Sequence, residues 1–237
     1  MTTPRTIPGS DRATAHRLLE AAAQVFADRG FEHATVREVC RRAGANVAAV
    51  NYHFESKERL YLETIRSAMR LCHGSETTEF LEYAARPGLS KEERLVGIVR
   101  RFALNLLGDH PEWHTRLIFQ EMNRPTHATA MIVDEFLSPR FRAMREVMAP
   151  FLPDADDETL SLHVMSLTGQ ILYHRIAAPF ALRFLKRDAY DAAFVERIAD
   201  HVAGFTLAAL TNGGSAGALR RLTAGATSAS SARGTPR

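Results

Sequence analysis

Residues 35–54 restrict the fold of this chain more than any other stretch, because they start a helix, stop it on a glycine and start another within a short span. Thr35 followed by Glu38 is the pattern of a reciprocal capping box, in which hydroxyl and carboxylate satisfy orphan amides at a helix N-terminus. The pattern predicts a helix over 36–43. Gly44 ends it, and Asn46 is placed to cap a second short helix reaching Tyr52 or His53. Val36, Val39 and Cys40 of the first helix then face Val50 and Phe54 of the second, while the small Ala45, Ala48 and Ala49 let the second helix lie close to a groove. The pair reads as a helix-turn-helix, although the turn chemistry alone also suits an ordinary helical hairpin.

Helical signals continue on both sides. Leu18, Ala22, Val25 and Phe26 form one apolar stripe over 11–29, and Gly30 is expected to stop that helix. Ser56 is placed to cap a further helix carrying Leu60, Ile65 and Met69 beyond Arg70. Ser90 with Glu93 makes a second capping box before Leu95, Ile98, Val99, Phe102 and Leu106, and Pro111 suits a first helical position. Helices are expected over 126–148, 156–186 and 190–211, and no alternating pattern of branched residues marks a strand. Leu160, Val164, Leu167 and Ile171, then Phe194, Ile198, Val202 and Phe205, belong either to a helix pair in one core or to half of an intermolecular four-helix bundle, with Gly169 and Gly204 permitting close approach. From Gly213 onward large apolar residues almost vanish, so residues 212–237 are expected to be a disordered tail.

Composition narrows the function classes. With 46% hydrophobic residues over 237 positions the chain can bury a substantial core. It has no uninterrupted apolar run long enough for a membrane span, and residues 1–10 lack the apolar stretch of a secretory signal, which leads to a cytoplasmic expectation. Cys40 and Cys72 lie in helical segments outside any CxxC pair and read as small semi-buried hydrophobes. The net charge of +3 is unevenly spread: residues 1–74 carry 11 Lys/Arg against 8 Asp/Glu, residues 75–211 carry 15 against 19, and the tail carries four Arg and no acid. A basic N-terminal end suits a nucleic-acid contact, although many solvated surfaces carry as much charge.

Residues 12–69 resemble the DNA-binding domain of TetR-type regulators. The resemblance rests on Phe26, Gly30, Thr35, Ala43, Gly44, Tyr52, His53, Phe54, Ser56, Lys57 and Leu60 in that order. Asn51, where many members carry Tyr, is similar to a subset known as the CecR-type branch, as are Phe119, Gln120, Glu121 and Met122 ahead of Pro125, Ser138 with Pro139, and Gly169 with Gln170. The resemblance implies an all-α chain: an N-terminal three-helix helix-turn-helix DNA-binding domain over 10–74, and a C-terminal helical ligand-binding and dimerisation domain over 75–211.

Chemistry suggests roles within that frame. The amides capped by Thr35, together with Lys57, Tyr52 and His53, suit phosphate contacts, with Arg12 and Arg5 as further backbone contacts; Asn46, Val47, Ala48 and Asn51 suit base reading, because an amide bonds adenine and a small apolar group meets a thymine methyl. The plainer readings are packing for Tyr52 and an ordinary surface lysine for Lys57. Phe102, Trp113, Phe119, Met122, Met165, Tyr173 and His174 are candidates to line an effector pocket, each of them also compatible with ordinary core.

Other chemistry has little support. His110 and His114 lack the glutamate of a metalloprotease helix, there is no GxGxxG or P-loop, and Asp154, Asp156, Asp157 and Glu158 cluster where a helix start explains them. No catalytic residue, metal or cofactor is expected. The sequence leads to a DNA-binding transcriptional regulator, most simply a homodimeric repressor that binds a palindromic operator and is released by a small organic effector. A helical small-molecule-binding protein and a helical-bundle enzyme, neither acting through DNA, are the competing classes.

Overall fold

A computed structural model describes residues 9–211, with side chains over 11–70 and 79–211. The expected disorder of the tail, the burial of Cys72 and a contact from Arg5 lie outside the described residues. Among the described residues there is no strand, and the all-α expectation holds. The chain divides into two compact units, one of Met1–Thr77 and Asp109–Pro139, the other of Thr78–Gly108 and Arg140–Arg237. Packing thus groups 109–139 with the N-terminal helices, where the sequence reading placed it in the second domain.

The first unit contains α1 (Gly9–His33), α2 (Val36–Ala43), α3 (Val47–Phe54), most of α4 (Lys57–Ala84), α6 (Glu112–Asn123) and α7 (Ala128–Met131). Its core contains the predicted stripe of α1, with Leu18, Ala22, Val25 and Phe26 all at most 2% exposed, joined by Val39, Cys40, Val50, Phe54, Leu60, Ile65 and Met69. Leu117 of α6 with Ala128 and Ile132 completes it, which is why 109–139 belongs here. Gly30 kinks α1 rather than ending it: its backbone stands at φ 72, ψ 168, and one more turn carries the helix to His33. That conformation is essentially closed to residues with a Cβ. A Cβ at position 30 would also meet Gln120 Oε1 at 3.1 Å. A π-type turn, Ile132–Leu137, separates α7 from α8 (Ser138–Met148). Pro139 has no amide for the Glu135 carbonyl and its ring pushes that carbonyl aside, which accounts for the widened turn before it.

The second unit contains α5 (Lys91–Leu107), nearly all of α8, α9 (Asp157–Ile176), α10 (Ala178–Leu185) and α11 (Ala192–Thr211). Leu95, Ile98 and Val99 of α5, Met148 of α8, Leu160, Val164, Leu167 and Ile171 of α9, and Ile198 and Val202 of α11 form its core. The single helix expected over 156–186 is two helices: Pro179 cannot continue the hydrogen-bond ladder, and α9 ends at Ile176. Phe205, expected in the apolar stripe of α11, is 57% exposed. The capping box at Ser90 forms in full, with Glu93 N–H donating to Ser90 Oγ at 3.1 Å and Ser90 N–H to Glu93 Oε2 at 2.9 Å.

Two outcomes follow from these local geometries. Gly30→Ala should lower unfolding stability by about 1–3 kcal/mol, read as a shifted urea midpoint at unchanged slope. The Ser90 amide, then its hydroxyl, holds the Glu93 carboxyl below its ordinary range. A depressed carboxyl stabilises the fold above its unfolded value, near 4.3, and loses that contribution as pH falls through the folded value. The stability difference between the parent and Glu93→Gln should therefore be full at neutral pH and vanish in acid.

Candidate nucleic-acid interface

The turn between α2 and α3 is built from backbone hydrogen bonds that its sequence dictates. Thr35 Oγ1 accepts the Glu38 amide at 3.2 Å, so the predicted cap forms. The other half of the box does not: the Glu38 carboxylate lies 3.4 Å from Arg29 and 3.9 Å from Arg41 instead. Two cations outcompete a single backbone amide for that carboxylate. At the far end Gly44 takes the left-handed conformation, φ 61, and Ala45 N–H reaches back to the Cys40 carbonyl at 3.0 Å. This is the Schellman arrangement, in which glycine ends a helix without a Cβ penalty. Asn46 Oδ1 then accepts the Ala49 amide at 2.8 Å and starts α3.

Alpha-helical periodicity divides α3 into two faces. Val50 and Phe54 are buried against α1 and α2, and Cys40 beside them is buried with its thiol pushed up by desolvation. On the other face Asn46, Val47, Ala48, Asn51 and Tyr52 are exposed, Val47 and Tyr52 at 42% and 59%. His53, partly buried, stands edge-on to Tyr52 with ring centroids 4.9 Å apart. Beyond α3, Glu55 occupies a strained γ-turn at φ 65, with Ser56 N–H donating to the Phe54 carbonyl at 2.7 Å.

Lys57 differs from the sequence expectation in its surroundings. Its Nζ donates to the Glu32 carbonyl at 3.2 Å and lies 4.7 Å from the Phe31 ring centroid, so it fastens the start of α4 to the end of α1. An ammonium has three protons, which leaves donors for a second partner. The sequence reading missed Arg37, Arg41 and Arg42, whose side chains are exposed on α2. Their spacing from Thr35 places them on the outer side of a helix, a signal present in the sequence.

The candidate effector residues divide between the units. Trp113 lines a cavity of about 320 Å³ with His16, Glu20 and Thr64, and Phe119 lines another of about 420 Å³ with Phe31, Tyr61 and Arg124. Met122, also in the first unit, is 54% exposed. In the second unit Phe102 packs partly buried against the core, and His174 Nδ1 lies 3.3 Å from Tyr190 Oη. Burial, then the charge of nearby His201, holds the His174 imidazole below its ordinary value. Met165 and Tyr173 face outward from α9 at 57% and 50% exposure.

Comparison with known proteins agrees with this arrangement. Residues 18–64 match the model of the bacterial regulatory proteins of the TetR family, and residues 91–210 match that of the C-terminal domain of the HTH-type transcriptional dual regulator CecR. The chain is 28% identical over 190 residues to the HTH-type transcriptional dual regulator CecR of Shigella flexneri, covering 77% of this chain and 84% of that protein. Its fold is shared with AibR in complex with isovaleryl coenzyme A and operator DNA, at a TM-score of 0.58 and 20% identity over 81% of this chain and 97% of that one. The Bacillus subtilis regulator FadR in complex with stearoyl-CoA has a TM-score of 0.55 and 15% identity, over 81% and 96%. These relatives are transcriptional regulators rather than enzymes. With the CecR C-terminal model spanning half of the chain and the TetR model spanning its helix-turn-helix, the chain belongs to the TetR family of transcriptional regulators and is of the CecR type.

Proposed function

We propose that the chain binds a palindromic operator as a homodimer, represses transcription there, and leaves the DNA when a small organic effector binds. The observation that carries the DNA-facing part is the outer face of α3, where Asn46, Val47, Ala48, Asn51 and Tyr52 are exposed together on a helix held by Val50 and Phe54. Asn51 reads a base through both amide atoms. Asn46 contributes its amino group, while its carbonyl oxygen already accepts the Ala49 amide. Val47 and Ala48 suit thymine methyls. Tyr52, His53, Lys57 and the first amides of α2 after Thr35 contact phosphates and set the register.

Assembly is supported by a second set of exposed groups. Leu162, Met165, Tyr173 and Ile176 of α9 and Phe205 of α11 are exposed at helical spacing. Open space faces Gly169 and Gly204. A second copy laid against these faces makes a four-helix bundle and removes the apolar surface from water. Of the candidate effector residues in the second unit, Phe102 and His174 are the partly buried ones. The coenzyme A thioesters bound in two proteins of the same fold are the first compounds to titrate.

Binding to duplexes selected from a random library, titrated at several salt concentrations, tests this reading. Asn51→Ala should cost about 1–3 kcal/mol on the selected duplex and relax preference at one base pair per half-site. Lys57→Ala should weaken all duplexes alike and lower the salt slope by about one phosphate equivalent. A salt slope unchanged by Lys57→Ala would leave that residue with only its tie to Glu32. A saturating effector that leaves operator affinity unchanged would refute ligand release.

A further inference from the structure

Phe119, Gln120, Glu121 and Met122 stand out in the sequence, yet neither the exposed face of α3 nor the effector assignment uses the two polar residues among them. Both point into the first unit. Glu121 is 3% exposed, and its two carboxylate oxygens accept four donors. These are the Tyr61 hydroxyl at 2.8 Å, the Thr126 amide at 2.8 Å, the Thr126 hydroxyl at 3.1 Å and the Thr129 hydroxyl at 2.6 Å. Gln120 Nε2 donates to the Ala27 carbonyl at 2.7 Å, while its Oε1 occupies the space beside Gly30.

We infer that Gln120 and Glu121 are positioning residues for operator binding, a clasp that sets the angle at which α1 delivers α2 and α3. The inference rests on the operator reading above. A buried carboxylate is a poor choice for stability alone, since an apolar side chain of similar volume often serves as well or better. What a carboxylate supplies is direction: its acceptors fix one register between α6 and α4. Gln120 does the same for α1 at the point where Gly30 bends it. Gln120 then holds α1 at Ala27, just before the Gly30 bend, and Lys57 on Glu32 holds the turn after it, with Phe31 against Tyr61 at 4.9 Å between ring centroids. Only residues 34 and 35 separate that turn from α2. An error in the direction of α1 there passes directly to α3.

The test compares the parent with Gln120→Ala, Glu121→Gln and Tyr61→Phe on two duplexes. One is selected from a random library by the full-length parent; the other has one base pair inserted at its centre, which turns the half-sites by about 35° relative to each other. In the variants affinity for the selected duplex should fall roughly tenfold and affinity for the inserted duplex should change less than about twofold, at an unaltered salt slope. A structural defect removes active protein from both titrations equally. Equal losses on both duplexes that track the thermal midpoint, or no change on either, would overturn the proposal. Gln120→Ala removes a partly exposed side chain, so it keeps the test open if Glu121→Gln does not fold. Amide hydrogen exchange over 30–45 gives a readout independent of DNA. Faster exchange in the variants supports the clasp and unchanged exchange overturns it, whereas a parent that selects no duplex overturns the operator reading instead.

Discussion

The hydrogen bond from the Tyr61 hydroxyl to the buried Glu121 carboxylate is the contact on which the first unit depends. Tyr61 is 2% exposed, with its ring edge-on to Phe26 at 4.8 Å and tilted against Phe31 at 4.9 Å, so it touches α1 with its ring and α6 with its hydroxyl. Burial, then Glu121, pushes its phenol well above the ordinary value, which keeps the proton available to donate. Neither partner tolerates isolation: a buried carboxylate without donors costs several kcal/mol by order of magnitude, as does a buried hydroxyl without an acceptor to a lesser degree. An ion pair, Arg66 with both oxygens of Glu135 at 2.7 and 2.9 Å, holds the π-type turn to α4. Arginine suits this place because its planar fork matches a carboxylate in one orientation.

A stable first unit leaves α3 free to carry function. Two buried residues, Val50 and Phe54, anchor the helix with Ala49 packed partly buried, and Val47, Ala48, Asn51 and Tyr52 are left exposed. The exposed valine, tyrosine and asparagines of that face are joined by exposed arginines on α2. Apolar, amide and cationic groups are thus presented on adjoining rigid helices, and a regulator of this family uses rigid helices to match a groove. The strained Glu55 turn directs α4 away at once, which shortens α3 to the residues it needs.

The second unit has different requirements. Its buried residues form one core from α5, α8, α9 and α11, yet Leu162, Met165, Tyr173, Ile176 and Phe205 are left on the outside. Periodicity alone assigns Phe205 to the same stripe as Ile198 and Val202. The helix has more apolar residues than a single contact can cover, and position 205 falls beyond the edge of the buried stripe.

Sequence by itself determined the elements whose causes are local. Caps at Thr35, Asn46, Ser56 and Ser90, the glycine stop at Gly44 and the apolar stripes of α1, α4, α5 and α9 all depend on residues within one or two turns of each other. The residues of the exposed α3 face were legible for the same reason. Tertiary structure alone decided that Gly30 bends α1 instead of ending it, that Glu38 turns to Arg29, and that the candidate effector residues divide between two units. It also decided that Glu121 meets Tyr61 from sixty positions away. Capping and periodicity act through bonds between neighbours in the chain, whereas the partner of a buried carboxylate is chosen by which helices pack together, and that depends on every side chain in the core at once.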